Sequence, residues 1–498
     1  MKKNLFLLLF LSFSLSLLCQ SEKKEIKIEP DPPLSVTKHR LQFSDGTTVN
    51  YTATAGYQFL RNEDGETRAK IFFVSYAKDE ETNPAKRPLT FAFNGGPGSA
   101  SLWLHMGALG PKRILMSDEG AALKPPYQVV DNEYSWLKFT DLVFIDPVMT
   151  GFSRPAEGVD KKEFTGFKND IESVGKFIRL YTSKNERWNS PKFLAGESYG
   201  TTRASGLSGF LQDRYGMYLN GIVLISQITN FQTARFSRGN DLPYPLFLPT
   251  YAATAWYHGK LSDEFKDLRQ LLKEVEDFAM NEYTLALMKG DLLSETERQA
   301  IAKKLSKYTG LSEKYVLESN LRIIISRFTK ELRRDEGITV GRLDTRFKNS
   351  DYDAAGEHYE FDPSYNGAIY GPFTMAVNDH LTRFLNFKSD LPYEILTGRV
   401  RPWSYSNVEN QFLNVAETLR NAMHKNRDLK VLVCGGYYDL ATPYFAAEYT
   451  INHLFLDKSL RDHIQMKLFE AGHMMYIHKP SLVQLTKDVQ DFYRDGLN

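Results

Sequence analysis

Residues 193–203 read FLAGESYGTTR, and this stretch decides the fold. A short apolar run leads into Gly196, Glu197, Ser198, Tyr199 and Gly200, and a helical pattern, TRASGLSGFLQDRY, follows. Glycines on either side of a serine relieve crowding at a sharp strand-to-helix turn. The same turn lifts the serine clear of the sheet, where its hydroxyl could attack a substrate. Taken alone, a tight turn explains the glycines equally well, so the rest of the chain must choose.

Similar apolar runs recur on both sides. LTFAF ends in a glycine-rich loop, DLVFID precedes the helical pattern FKNDIESVGKFIRLYTS, and NGIVLIS follows the serine segment. Much later come VLVCGG, IQMKLFEAG and a closing helical stretch, SLVQLTKDVQDFYRD. Buried strands alternating with helices predict an α/β fold with a mostly parallel central sheet. Near the start, VNYTATAGYQFL, the turn NEDGE and AKIFFVSYA have hairpin spacing, so the N-terminal strands should run antiparallel.

Between Ile225 and Val431 the strand–helix rhythm stops. SDEFKDLRQLLKEVEDFAMNEYTLALM reads as a helix with Ser262 as N-cap. SETERQAIAKKLSKYTG has Ser294 and Glu297 in capping-box positions and ends on Gly310. EKYVLESNLRIIISRFTKELRR reads as a third helix. These boundaries give 1–21 as signal peptide, 22–36 as tether, and 37–230 and 406–498 as two parts of the sheet domain. Residues 231–405 form a mainly helical cap inserted between them, expected over the strand ends.

Bulk properties exclude several function classes. Lys+Arg number 62 against Asp+Glu 61, a net charge of +1, which gives no footprint for nucleic acid. MKKNLFLLLFLSFSLSLLCQSEKK has the charged start and apolar centre of an export leader, too short to span a bilayer comfortably. A protein exported to the periplasm or beyond is expected. A lipid anchor at Cys19 is the alternative, disfavoured by the bulk of Leu18. Beyond the leader only Cys434 remains, inside an apolar run, so no internal disulfide forms and a buried small hydrophobe is expected.

A serine hydroxyl needs a base, and a histidine base needs a carboxylate to fix its tautomer. Of ten histidines only His473 sits just past a late strand and a glycine, in KLFEAGHMMY. His463 opens that strand at the wrong end, and His478 lies further out, read as a surface residue. The preceding strand supplies Asp439 in GGYYDLATP. Each residue alone is more often structural, but Ser198, Asp439 and His473 in this order after three strands point to a catalytic triad. The developing oxyanion needs donors, read as the backbone amides of Tyr199, next to the serine, and Gly96, in FAFNGGPGSAS.

NGGPGSASLW, YSWLKFTDLVFIDPVMTGFS, GESYG, YYDL and AGHM, in this order, resemble the serine carboxypeptidase family of α/β-hydrolases. NDLPYPLFLPTYAATAWYHGK is similar to its bacterial branch. The resemblance implies an α/β-hydrolase fold, the same triad and the same oxyanion donors. It also implies that Asn94 and Glu197 grip the terminal carboxylate of a peptide. Glu197 could do so only as the neutral acid, so binding should weaken as pH rises through its pKa. Otherwise Glu197 merely hydrogen-bonds backbone at the turn.

Two departures stand out. Ala92 occupies a position where the family often has tryptophan, and Ala108 one where many members carry a second glutamate. Without that second acid a strongly acidic optimum is less expected. The reading is therefore a serine exopeptidase acting on peptides. An esterase or acyltransferase using small acyl substrates and the same triad is the rival, and a non-catalytic binding module the remote one. No metal or organic cofactor is implied, since the chain has no H-E-x-x-H, paired C-x-x-C, Walker loop or dinucleotide fingerprint.

Overall fold

The computed structural model describes residues 30–81 and 83–497. The leader at 1–21, Cys19 and most of the tether lie outside the described residues. The central sheet comprises β1 Ser35–Gln42, β2 Thr48–Arg61, β3 Thr67–Lys78, β4 Leu89–Phe93, β5 Asp141–Ile145, β6 Lys192–Glu197, β7 Gly221–Ile225, β8 Lys430–Gly436 and β9 Ile464–Phe469. A two-residue strand, Arg154–Pro155, pairs beside β3.

Across the sheet the order is β1-β2-β3-β5-β4-β6-β7-β8-β9. From β1 to β5 the pairings are antiparallel; from β5 to β9 they are all parallel. Every residue of β4, β5, β6 and β7 is buried, as unbroken apolar runs require when helices cover both faces. Successive residues serve opposite faces. Leu194, Leu224 and Val433 join Phe177, Leu207 and Leu419 on one side. Ala195, Val223 and Leu432 join Leu485, Val489 and Phe492 on the other. Each large aliphatic buried this way contributes about 1.5–3 kcal/mol.

β1 alternates along most of its length between exposed and half-buried positions, fitting an antiparallel wing with one wet face. It begins at Ser35, inside the stretch read as tether, and adds a third strand to the expected hairpin. The chain steps from β4 to β5 on one side, then returns past β4 to β6 on the other. Strand order thus reverses between β4 and β6. The carboxyl ends of these strands flank the crevice where open α/β sheets take ligands.

The insertion between β7 and β8 packs in two places. Its helices Pro243–Tyr257, Leu268–Phe278, Glu295–Thr309 and Ile325–Glu331 build an apolar core from Phe247, Val275, Leu305 and Phe328, continuous with Tyr437, Tyr438 and Leu440 of the loop after β8. Further on, the helix Tyr370–Asp379 sends Phe373 and Val377 into the sheet core beside Leu41 and Tyr51. Ser294 and Glu297 form the full capping box, and Gly310 closes that helix in the left-handed conformation.

Two helix readings need correction. Ser262 caps nothing; its hydroxyl turns to Glu264, and Asp267 caps the helix by accepting from Gln270 N at 2.7 Å. The third stretch is not one helix but two, Glu313–Glu318 and Ile325–Glu331. Asn320 and Leu321 take positive φ between them. Tertiary contacts override the helical pattern there: Arg322 makes a two-pronged bond to Asp241, and Leu321 and Ile323 are buried. No helix among the described residues is long and apolar enough to cross a membrane.

Candidate active site

Ser198 sits between β6 and the helix Tyr199–Tyr215 with φ 59° and ψ −130°. A non-glycine residue in such a conformation costs about 1–3 kcal/mol, so its surroundings must enforce it. They do: Ser198 N–H donates to Ile225 O at 3.0 Å, and its carbonyl accepts from Thr201 N and Oγ1. The flanking glycines are obligatory. A Cβ on Gly196 would fall 2.2 Å from Gly200 O, and one on Gly200 would fall 2.6 Å from Phe93 O.

The loop after β4 lies directly against this turn. A Cβ on Gly95 would come within 2.3 Å of Tyr199 N. Neither the Gly96 nor the Tyr199 backbone N–H donates to another described residue. Arg203, fully buried one turn past the serine, holds the two segments together. Its Nη1 donates to Asn94 O at 2.6 Å and its Nε to Asp170 at 2.8 Å. The same guanidinium lies over the rings of Phe93 and Tyr199. Arg203 belongs to the quoted stretch, yet nothing in its spacing marks it as buried.

In the same cleft as the serine, His473 Nδ1 donates to Asp439 Oδ2 at 2.8 Å, which leaves Nε2 as the nitrogen able to take a proton. Asp439 is wholly buried and also accepts from Ala441 N, Thr442 N and Thr442 Oγ1. Burial works against charge on His473, but the charge and hydrogen bond of Asp439, with help from Glu197, outweigh it and hold its pKa above the ordinary value. His478 is half-buried rather than on the surface, its Nδ1 paired with Ser481 Oγ at the start of the last helix. Cys434 is free and buried, as expected.

A segment of the insertion, Gly341–Phe347, straps the acid and base loops together. His473 N–H donates to Leu343 O at 2.6 Å, and Leu440 N–H to Arg342 O at 3.1 Å. Thr345 N–H donates to Tyr438 O, and Gly472 N–H to Asp344 Oδ2, both at 3.0 Å. Asp344 is in turn paired with Arg346 at 2.7 Å, both side chains nearly buried. A Cβ on Gly472 would fall 2.4 Å from Asp344 Cβ, which explains the glycine before His473. From the other side, Ser226 Oγ donates to His473 O at 2.6 Å.

Glu197 is buried beside the serine. Burial pushes its carboxyl pKa up to about 7, against the opposing pull of His473 and of hydrogen bonding. Tyr476 O–H donates to its Oε2 at 2.5 Å. Lack of a second acid therefore does not leave Glu197 an ordinary carboxylate. Ala92 and Ala108 are both buried in the apolar core, and the Tyr476 ring packs where a side chain on Gly107 would stand. Asn94 Oδ1 accepts from Leu104 N at 3.1 Å. Its buried Nδ2 lies beside the Glu197 carboxyl, close enough to favour that group's charged form but without well-aligned hydrogen-bond geometry.

Asn94, Gly96, Glu197, Ser198, Tyr199 and His473 line one cleft of about 490 Å³, with Asp439 behind the histidine. The fold thus gathers all seven residues singled out from the sequence. It adds Arg203, Thr442, Asp344 and Tyr476, whose contacts are made across hundreds of residues or hidden in loops. Among the described residues no group of three or more His, Cys, Asp or Glu could hold a metal ion.

Residues 44–467 match the family model described as serine carboxypeptidase. The chain belongs to that family. Among its relatives, serine carboxypeptidase-like 45 of Arabidopsis thaliana is 26% identical over 251 residues, 46% of this chain and 47% of that protein. Carboxypeptidase Y of Saccharomyces cerevisiae is 32% identical over 163 residues, 31% of this chain and 26% of that protein. The matched part of the chain thus spans about half the length of these curated relatives or less. The solved structure of Kex1(Δ)p, a prohormone-processing carboxypeptidase from Saccharomyces cerevisiae, superposes with a TM-score of 0.55 at 18% identity. It covers 89% of this chain and 91% of that one. The serine carboxypeptidase fold therefore extends over nearly the whole described chain.

Proposed function

We propose that this serine carboxypeptidase homologue is an exported exopeptidase that releases C-terminal amino acids from peptides through an acyl-enzyme. Its export rests on the leader at 1–21. One observation carries the substrate assignment: in the cleft with Ser198 lie a buried Glu197, its pKa pushed up to about 7, and the buried amide Nδ2 of Asn94 beside it. A protonated carboxyl and an amide N–H are two donors suited to a peptide's terminal carboxylate, which an ionised Glu197 would repel.

In the reaction, His473 Nε2 takes the proton from Ser198 Oγ, which attacks the last peptide carbonyl carbon. The Gly96 and Tyr199 amides stabilise the resulting oxyanion, each worth about 10²–10³ in rate. Asp439 holds the imidazolium in place without taking its proton. The imidazolium then protonates the departing amine as the C–N bond breaks. Water, deprotonated by the same nitrogen, hydrolyses the ester and returns the proton to Ser198.

Substrates with a free or an amidated C-terminus test this reading. The free acid should be cleaved with far higher kcat/KM, and Ser198→Ala should abolish both cleavage and labelling by a fluorophosphonate. Equal rates on the two substrates would favour an esterase or acyltransferase, the reading that Ala92 and Ala108 support. Folded protein that failed to label would mean a binding module.

A further inference from the structure

Three arginines open onto the catalytic cleft: Arg235, Arg342 and Arg401. Arg342, carried in by the strap, lies close enough to His473 to oppose its protonation. Arg235 stands beside the Tyr405 hydroxyl and over the Phe231 ring, 5.3 Å from its centre. Arginines around them are matched with acids: Arg346 with Asp344, Arg399 with Glu394, and Arg203 with Asp170. Arg235, Arg342 and Arg401 form no ion pair with any described residue.

Nearby carboxylates make their hydrogen bonds to other groups rather than to these guanidiniums. Asp362 Oδ1 accepts the backbone N–H of Arg342 and both the N–H and the hydroxyl of Ser364. Asp439 is filled by its four donors. Among the described residues lining the cleft Glu197 is the only acidic one, and burial pushes its pKa up to about 7. Among the described residues, none of these three cleft guanidinium groups is ion-paired with a carboxylate, so each is open to an anionic group of a bound peptide. Such groups focus a positive potential into the cleft. A guanidinium is weakly hydrated and its planar fork matches a carboxylate, so pairing there costs little desolvation.

We propose that Arg342, with Arg401 and Arg235, makes the cleft select peptides bearing an acidic side chain in one of their last two residues. This inference rests on the carboxypeptidase reading and adds a substrate class to it.

Four blocked dipeptides test it: benzyloxycarbonyl-Glu-Leu against -Gln-Leu, and -Leu-Glu against -Leu-Gln. They are assayed near pH 6, where the substrate acid is ionised. Glu and Gln have nearly the same shape, so their kcat/KM ratio reads charge alone. The wild type should favour Glu about tenfold in at least one pair. That ratio should fall towards one in Arg342→Gln and at about 0.5 M salt, and survive in part in Arg342→Lys. Because the readout is a ratio within one protein, a general loss of activity does not imitate the effect. Arg401→Gln, on the exposed rim, provides a second variant whose ratio should also fall.

A wild-type ratio at or below one in both pairs overturns the proposal. So does a ratio unmoved in both variants, or an Arg342→Gln that slows all four substrates alike, the signature of an arginine serving only the terminal carboxylate. Cleavage of p-nitrophenyl acetate but of none of the dipeptides would instead remove the carboxypeptidase reading, and the acidic preference with it.

Discussion

The carbonyl of Leu343, in the inserted segment, accepts the backbone N–H of His473 at 2.6 Å. On the opposite side, His473 O is held by Ser226 Oγ. The candidate base is therefore clamped between a segment of the insertion and the loop after β7. The insertion thus lines the cleft through Arg342 and Leu343 and also helps fix the backbone of the candidate base.

Asp344 is the anchor of that clamp. Asp344→Ala would leave the nearly buried Arg346 guanidinium with only the exposed Glu119 carboxylate, 3.7 Å away, and the Gly472 N–H unbonded. Breaking a buried pair in this way typically costs about 3–5 kcal/mol. Urea unfolding should show a loss of that order, with kcat falling further than KM rises. The double variant Asp344→Ala/Arg346→Met should recover part of the stability, since no charge is then stranded. A single variant as stable as the wild type would show that the strap is not fixed by this pair.

Glu197 sets the pH dependence. Its carboxyl is neutral below about pH 7, so kcat/KM on free-acid peptides should fall as pH rises through that value. His473 must be neutral to act, and its raised pKa makes the rate fall on the acid side as well. The rate should therefore fall on both sides, with the alkaline limb near pH 7. Glu197→Gln should remove the alkaline limb. It should also move the acid limb to lower pH, because the charge that helps hold His473 protonated is gone. Stability follows the same sign. The folded pKa lies above the ordinary 4.5, so the contribution of Glu197 is complete below 4.5 and is lost as pH rises to about 7. Relative to wild type, Glu197→Gln should gain stability between pH 5 and pH 8, as read by unfolding at each. An unchanged alkaline limb would rule out a carboxylate grip by this residue.

Thr442 holds Asp439 in line with the base. Its hydroxyl donates to the Oδ2 that also receives His473 Nδ1–H. Thr442→Val keeps the shape and removes one hydrogen bond, worth about 1.5–3 kcal/mol when the acceptor is charged. The acid limb of the pH–rate profile should shift and kcat should fall about tenfold or more, with KM little changed. Thr442→Ser should restore most of the rate, whereas a merely structural role would leave the pH profile where it was.

Arg203 ties the elbow helix to the Asn94 loop. Arg203→Met should destabilise the fold by about 3–5 kcal/mol by stranding Asp170. It should also raise KM for free-acid peptides more than for p-nitrophenyl esters, because the Asn94 carbonyl is released. Equal effects on both substrate types would confine Arg203 to stability.

The mostly parallel sheet and its antiparallel N-terminal strands were legible because each depends on local signals. Unbroken apolar runs such as GIVLI and KVLVCGG can only be strands covered on both faces, and their ends point to where side chains emerge. Ser294, Glu297 and Gly310 mark helix ends by their own hydrogen bonding and backbone preference, and they held. At Ser262 the helix starts later, capped instead by Asp267, and around Asn320 local propensity is worth only a few tenths of a kcal/mol per residue. Packing of Leu321 and the Arg322–Asp241 pair outweighs it.

By itself the sequence determined which residues could do chemistry and in what order the strands present them, because turn geometry and apolar periodicity are written within a few neighbouring residues. Only the tertiary structure decided what surrounds them. Burial that lifts Glu197 towards neutrality, the Tyr476 hydroxyl upon it, the Asp344 strap and the unpaired arginines of the cleft all arise from segments far apart in the chain. Solvent exclusion and proximity in space set those properties, and no local pattern encodes either.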